Sequence, residues 1–160
     1  KKLPILFVCE DNNFAIHSLL AERIGFKSIG DVVSQFYCHF DNSDSTDVFE
    51  IYKKTSDMIK KMKKTGKPGF LHLKYYRYLE HVGVDEDFHF GYRSKQEFLR
   101  WKRVDPLLVA RRYLLKARVK KDDITSLENI VDRNLTSSLS KARKAPYPSG
   151  KELFDNIYGS

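Results

Sequence analysis

One short stretch of the chain carries hard oxygen donors. Asp11, Asn12 and Asn13 stand together behind Glu10, in the polar cluster that ends a nearly unbroken apolar run, residues 3–9 (LPILFVC). A carboxylate and two side-chain amides are ligand types that a small, oxygen-seeking cation such as Mg²⁺ accepts. The same residue types also make ordinary turns, so spacing alone leaves a metal site and a plain turn both open. Cys9 and Cys38 are the only cysteines. Far apart and in apolar surroundings, they read as reduced core residues of a cytoplasmic protein rather than as a disulfide.

Donors at the end of an apolar run need a scaffold behind them. Such a run suits a strand buried on both faces of a parallel sheet, with a ligand site beyond its carboxyl end. Residues 14–24 fit a short helix or an irregular turn, and residues 32–40 fit a second strand. Asp47 can cap a helix whose apolar stripe is Val48, Ile51, Tyr52, Thr55, Ile59 and Met62, ended by Gly66 and Pro68. Residues 70–76 (FLHLKYY) are strand-like again. Strand, loop, strand, helix, strand predicts an α/β fold, a mostly parallel sheet with flanking helices and crossover connections.

A polar loop, residues 77–95, follows with His81, His89 and four acidic residues. Beyond it lies a helical C-terminal segment. Ser94 with Glu97 resembles a capping box for a helix through Trp101. Asp105-Pro106 opens a second helix, with Leu107, Leu108, Tyr113, Leu114 and Leu115 as core candidates. Asp122 or Asp123 caps a third, with Ile124, Leu127, Val131, Leu135, Leu139 and Ala142 on one face. Pro146 and Pro148 end it, and Leu153, Phe154, Ile157 and Tyr158 suggest a terminal anchor. With no repeat or low-complexity linker, the chain reads as one domain, an α/β part over 1–95 and a helical part over 96–160.

Charge narrows the function classes. Lys and Arg number 29 against 21 Asp and Glu, a net charge of +8. Residues 51–67 hold seven Lys against one Asp, and residues 100–121 hold nine Lys or Arg against one Asp. Solvated helix faces account for both clusters. No zinc-finger spacing, helix-turn-helix or aromatic nucleic-acid motif accompanies them, so a basic nucleic-acid-binding domain ranks last. No run approaches the roughly 18 apolar residues of a membrane span. A 41% hydrophobic and 13% aromatic content is enough for a packed core and argues against wholesale disorder.

The segment Phe7-Val8-Cys9-Glu10-Asp11-Asn12-Asn13-Phe14-Ala15-Ile16 resembles the VCENNxYAI stretch of one enzyme family. That family is the alpha subunit of the thiamine-diphosphate-dependent 2-oxo acid dehydrogenase first component, of pyruvate or branched-chain type. Further landmarks follow in the family's order: Asp44, Asp47-Val48, Gly66-Lys67-Pro68, Tyr76-Arg77-Tyr78 with His81, Tyr92-Arg93-Ser94-Lys95, Trp101, Asp105-Pro106 and a final Leu153-Phe154-Asp155-Asn156-Ile157-Tyr158. The resemblance covers nearly the whole chain, and its specificity lies in the joint order.

It implies a partial thiamine-diphosphate-binding fold and particular roles. Asn12 would bind Mg²⁺ through its side chain and Phe14 through its backbone carbonyl, the metal in turn holding the cofactor diphosphate. Ile16 would line the apolar wall near the cofactor. His81 would sit at the cofactor and handle substrate, with Arg77 near the same site and Tyr92 and Arg93 as a loop-stabilising pair. His17, His39, His72 and His89 have no matched role and read as structural. The resemblance also implies a beta subunit, a second alpha subunit and a lipoyl-bearing acyltransferase as partners.

The sequence departs from the family pattern in several places. Asp11 replaces the first Asn of the pair, and His72 stands where a Glu is common at the strand centre. Val82 occupies the place of a phosphorylatable Ser, and the loop from 82 to 91 is about two residues longer than usual, a change that loops tolerate. The family's Gly-Asp-Gly segment belongs well upstream of the Asn pair, and the eight glycines here include no Gly-x-Gly spacing. The expectation is therefore the C-terminal half of the subunit, inactive alone. Its alternative is a degenerate, non-catalytic piece of the same fold that serves assembly.

Overall fold

The computed structural model describes residues 3–155. Two compact units divide the chain, residues 1–113 and 114–160. In the first unit, β1 (Leu6–Asp11), β4 (His39–Ser43) and β5 (Gly69–Lys74) form a parallel three-stranded sheet in the order β1-β5-β4. β2 (Phe14–Ala15) and β3 (Ser18–Leu19) pair antiparallel as a small hairpin directly after β1. The helices are α1 (Ile29–Val33), α2 (Val48–Thr65), α3 (Lys95–Arg103), α4 (Pro106–Lys116) and α5 (Lys121–Lys144). The α/β class and the crossover connections are as the sequence predicts.

Capping residues explain where the helices begin. Asp47 precedes α2 and accepts a hydrogen bond from the Phe49 N–H at 2.9 Å. Gly66 ends the helix in the left-handed region at φ +66°, donating its N–H to the Met62 carbonyl. Ser94 caps α3 by accepting from the Glu97 N–H at 3.1 Å. Asp105 accepts from the Leu107 N–H at 2.9 Å, with Pro106 as the first residue of α4.

The sheet carries different chemistry on its two faces. On one, Gly69 and Leu71 alternate toward α2, where Met58 and Met62 are buried. A Cβ on Gly69 would lie 2.8 Å from both Met58 Cγ and Met62 Sδ, so the absence of a side chain lets the helix seat closely. On the other, Phe7, Phe70 and Phe40 align across the three strands and stack with centroid separations of 6.4 and 6.2 Å. α1 lies on this side, with Gly30 against the Phe40 ring.

Four sequence expectations are corrected. The apolar run is not buried on both faces: β1 is an edge strand, and Phe7 and Val8, on opposite faces, are 49% and 51% exposed. Residues 32–40 are not one strand, because Val32 and Val33 belong to α1, which packs on the sheet, and β4 starts only at His39. Along α2 the packed residues are Met58 and Met62, whereas Val48, Tyr52 and Ile59 are exposed. A three-stranded sheet offers that helix only a narrow contact. Lys120, not Asp122 or Asp123, is the cap residue of α5, and both carboxylates fall inside the first turn.

The core reading of α4 also changes. Leu107, Leu108, Tyr113 and Leu115 of α4 are exposed. In the second unit Ile124 is buried, but Leu127, Val131, Leu135 and Leu139 form an exposed stripe along α5. Ala145 follows its last turn, and Leu153 and Phe154 are exposed. Ile157 and Tyr158 lie outside the described residues. Among the described residues no helix is long and apolar enough to cross a membrane.

Candidate functional site

At the carboxyl end of β1 the chain makes two tight turns in succession. Asn13 takes φ +66°, a conformation that Asn tolerates better than most residues. The Asp11 carboxylate accepts the Asn13 N–H at 2.7 Å, and the Asn12 side-chain oxygen accepts the Phe14 N–H at 2.9 Å. Leu20 N–H bonds the Asn13 carbonyl at 2.9 Å. Backbone groups alternate sides along an antiparallel pair. Phe14, facing Leu19, therefore turns its N–H and C=O away from β3, to the side where the Asn12 oxygen lies.

The hairpin turn is strained. Ile16 adopts φ +60° at the first of the two residues linking β2 and β3, the position where a type II′ turn favours Gly. For a β-branched residue this is a true outlier, costing about 1–3 kcal/mol. Its side chain is exposed, and its carbonyl faces Arg77 Nη2 at 3.5 Å.

Arg77 connects this hairpin to the loop that follows β5. Its Nη2 bonds the Tyr92 hydroxyl at 2.7 Å and lies 3.8 Å from Asp87 Oδ2. Asp87 is fully buried and is the hub of the loop. It accepts from Arg93 Nε at 2.5 Å, from Arg93 Nη2 and from the Tyr92 hydroxyl, while Arg93 also donates to the Arg77 carbonyl. Burial opposes ionisation of Asp87, but the Tyr92 and Arg93 donors outweigh it and hold its carboxyl below the ordinary value. The Phe14 ring packs edge-on against Tyr92 at 5.3 Å, and His17 stacks on Phe90 at 4.8 Å.

Asn12, Phe14, Ile16 and Arg77 thus come together around the hairpin. His81 does not join them. It is exposed, without a side-chain partner among the described residues, in a turn closed by the Glu80 N–H to the Asp85 carbonyl at 2.9 Å. Gly83 in that turn has φ +139°, where a Cβ would strike Glu80. Sequence reasoning missed Asp87, one of four acidic residues in the loop with no local mark to set it apart. The missing signal is tertiary: only the fold brings Arg77 and Arg93 to it.

The donor chemistry fits part of a Mg²⁺ shell. Asn12 Oδ1, which also accepts the Phe14 N–H, and the Phe14 carbonyl are neutral oxygens of the kind a hard cation takes. Asp11 is already engaged: besides the Asn13 N–H, it bonds His72 Nε2 at 2.9 Å. Among the described residues no group of three or more His, Cys, Asp or Glu side chains assembles as a metal cage. Both cysteines are free thiols, and burial, then the nearby Asp11 charge, pushes the Cys9 thiol up. That leaves it protonated and poor as a ligand.

A polar loop leaves the carboxyl end of a parallel strand and is faced by a braced second loop, the place where open α/β sheets carry their ligand sites. The chain belongs to the dehydrogenase E1 component family, whose sequence profile matches residues 1–151. It is similar to the 2-oxoisovalerate dehydrogenase subunit alpha of Bacillus subtilis, 26% identical over 159 residues, 98% of this chain and 47% of that protein. The pyruvate dehydrogenase E1 component subunit alpha of Rickettsia typhi is 24% identical over 157 residues, with the same two coverages. The corresponding Zymomonas mobilis protein is 29% identical over 167 residues, 98% of this chain and 44% of that protein. The chain spans about half the length of the curated relatives it matches.

Proposed function

We propose that this chain is the C-terminal half of a 2-oxo acid dehydrogenase alpha subunit that binds thiamine diphosphate through Mg²⁺. In this reading it works with an upstream half, a beta subunit, a second alpha subunit and a lipoyl-bearing acyltransferase. The observation that carries it is the turn beyond β1, where the Asn12 side-chain oxygen accepts the Phe14 N–H and Phe14 turns its carbonyl to the same side, away from β3. Asn12 and Phe14 hold the metal, and Ile16 presents an apolar side chain to the cofactor ring. Bound thiamine diphosphate supplies the electron sink for decarboxylation of the 2-oxo acid. Arg77 fixes the hairpin through the Ile16 carbonyl and Tyr92, and its guanidinium faces anionic groups arriving at the same edge. His81, on its exposed turn, moves protons at the substrate when the partner chains close over it.

In the assembled enzyme, Asn12→Ala raises the thiamine diphosphate dissociation constant about 10–100-fold, by analogy with lost metal-site contacts. His81→Ala lowers turnover about 10²–10⁴-fold with cofactor affinity kept. Unchanged cofactor affinity in the first variant sinks the metal assignment, and unchanged turnover in the second sinks the role of His81. The isolated chain, with two of the metal's ligands, binds no cofactor in calorimetry.

A second reading is a non-catalytic assembly piece of the same fold. The exposed Phe7 and Val8 and the bare apolar stripe of α5 favour it, since exposed apolar area of this kind suits docking to other chains. An assembled complex that holds this chain but takes up no thiamine diphosphate would decide for it.

A further inference from the structure

His72 sits at the centre of β5, 8% exposed, and its Nε2 lies 2.9 Å from Asp11 Oδ2 across the strand pair. A carboxylate only accepts, so Nε2 carries the proton. The other Asp11 oxygen accepts the Asn13 N–H at 2.7 Å, at the residue held at φ +66°. The Tyr75 N–H, just past the end of β5, bonds the Asp11 carbonyl at 3.0 Å and so holds the same residue by backbone as well. A continuous line of hydrogen bonds therefore runs from the sheet interior into the turn that displays Asn12 and Phe14.

We propose that His72 is a positioning residue for the metal-ligating turn, acting through Asp11 to hold Asn13 left-handed so that the Asn12 oxygen and Phe14 carbonyl face one cation. This rests on the Mg²⁺ reading given above. Without the imidazole, Asp11 keeps an unpaired carboxylate oxygen inside the fold and turns to find water or Lys74, releasing the Asn13 N–H. Gln at position 72 can donate through its own Nε2 and preserves the line. A reciprocal exchange preserves it too: in D11N/H72E the amide introduced at position 11 donates to the carboxylate introduced at position 72, while the amide oxygen accepts from the Asn13 N–H.

The test has two parts. In the isolated chain, amide hydrogen exchange is followed at Asn13 and Phe14 and, as reference, along α2. In the assembled enzyme, the Mg²⁺ concentration for half-maximal thiamine diphosphate binding is measured. His72→Leu is expected to speed exchange at Asn13 and Phe14 at least tenfold with α2 unchanged, and to raise the Mg²⁺ requirement about 10–100-fold. H72Q and D11N/H72E return both quantities to near the parent values. An unshifted Mg²⁺ requirement in His72→Leu overturns the proposal, provided Asn12→Ala shifts it. If Asn12→Ala leaves the requirement unchanged as well, the metal reading itself has failed. Should His72→Leu not fold, D11N and D11N/H72E are compared: recovery in the double variant supports the proposal, and no recovery overturns it.

Discussion

Asp11 and His72 are hydrogen-bonded at 2.9 Å although 61 residues separate them in sequence. Each, taken alone, departs from the pattern of the family that the chain resembles. Together they form one partly buried polar unit spanning two parallel strands. The register explains the meeting: β1 and β5 pair Cys9 with His72 and Asp11 with Lys74, so residues 11 and 72 are diagonal neighbours on one face. The added negative charge at position 11 is thereby turned into the sheet and toward an imidazole.

Asp87 is expected to be the most costly single position in the loop between β5 and α3. Asp87→Asn leaves the buried Arg93 without its counter-charge, a loss of about 3–5 kcal/mol. Urea denaturation checks this. The pH dependence has a definite sign. The folded-state value of Asp87 is depressed, so its contribution is fully present above the unfolded value near 3.9 and is lost as pH falls through the folded value. Parent and D87N stabilities should converge only in that acid range.

Ile16→Gly is expected to stabilise the isolated chain. Gly adopts φ +60° freely, which recovers about 1–3 kcal/mol of strain against the roughly 0.5–1 kcal/mol entropic cost of Gly. Ile16 is 57% exposed, so little packing is lost. A higher denaturation midpoint with weaker cofactor binding in the assembled enzyme is the expected pair of results. A lower midpoint would mean that Ile16 packs in solution more than it does here.

Gly69→Ala is expected to cost about 1–3 kcal/mol through overpacking, because the new methyl would meet two methionine side chains at 2.8 Å. Met58→Ala creates a cavity and is destabilising by itself. The double variant should lose less than the two single losses combined, since the new methyl then occupies vacated space. Strict additivity of the three melting curves would contradict the close seating of α2.

Much of the architecture was legible because its signals are local. Asp47, Gly66, Ser94 and the Asp105-Pro106 pair each satisfy helix-end groups within a few residues, so type and position are readable together. Val32 and Val33 misled because β-branched residues favour strands in isolation, yet here they serve a helix lying on the sheet. The stripe along α5 was readable as a stripe but not as exposed, since periodicity reports a face and not what covers it. In the site, the order of Asn12, Phe14 and Ile16 was visible in sequence. Asp87 and the Asp11–His72 unit were not, because both depend on strand register and loop return.

In purified form, the open side of β1 is expected to set self-association against charge repulsion. Nothing among the described residues pairs with that side, and Phe7 and Val8 flank it with apolar surface. Such an edge invites strand addition between copies, and what opposes it is the mutual repulsion of molecules carrying +8. The Debye length shrinks from about 10 Å at 0.1 M salt to about 3 Å at 1 M. Light scattering should therefore show monomers at low ionic strength and growing particles as salt is added, with Val8→Lys shifting that onset to higher salt.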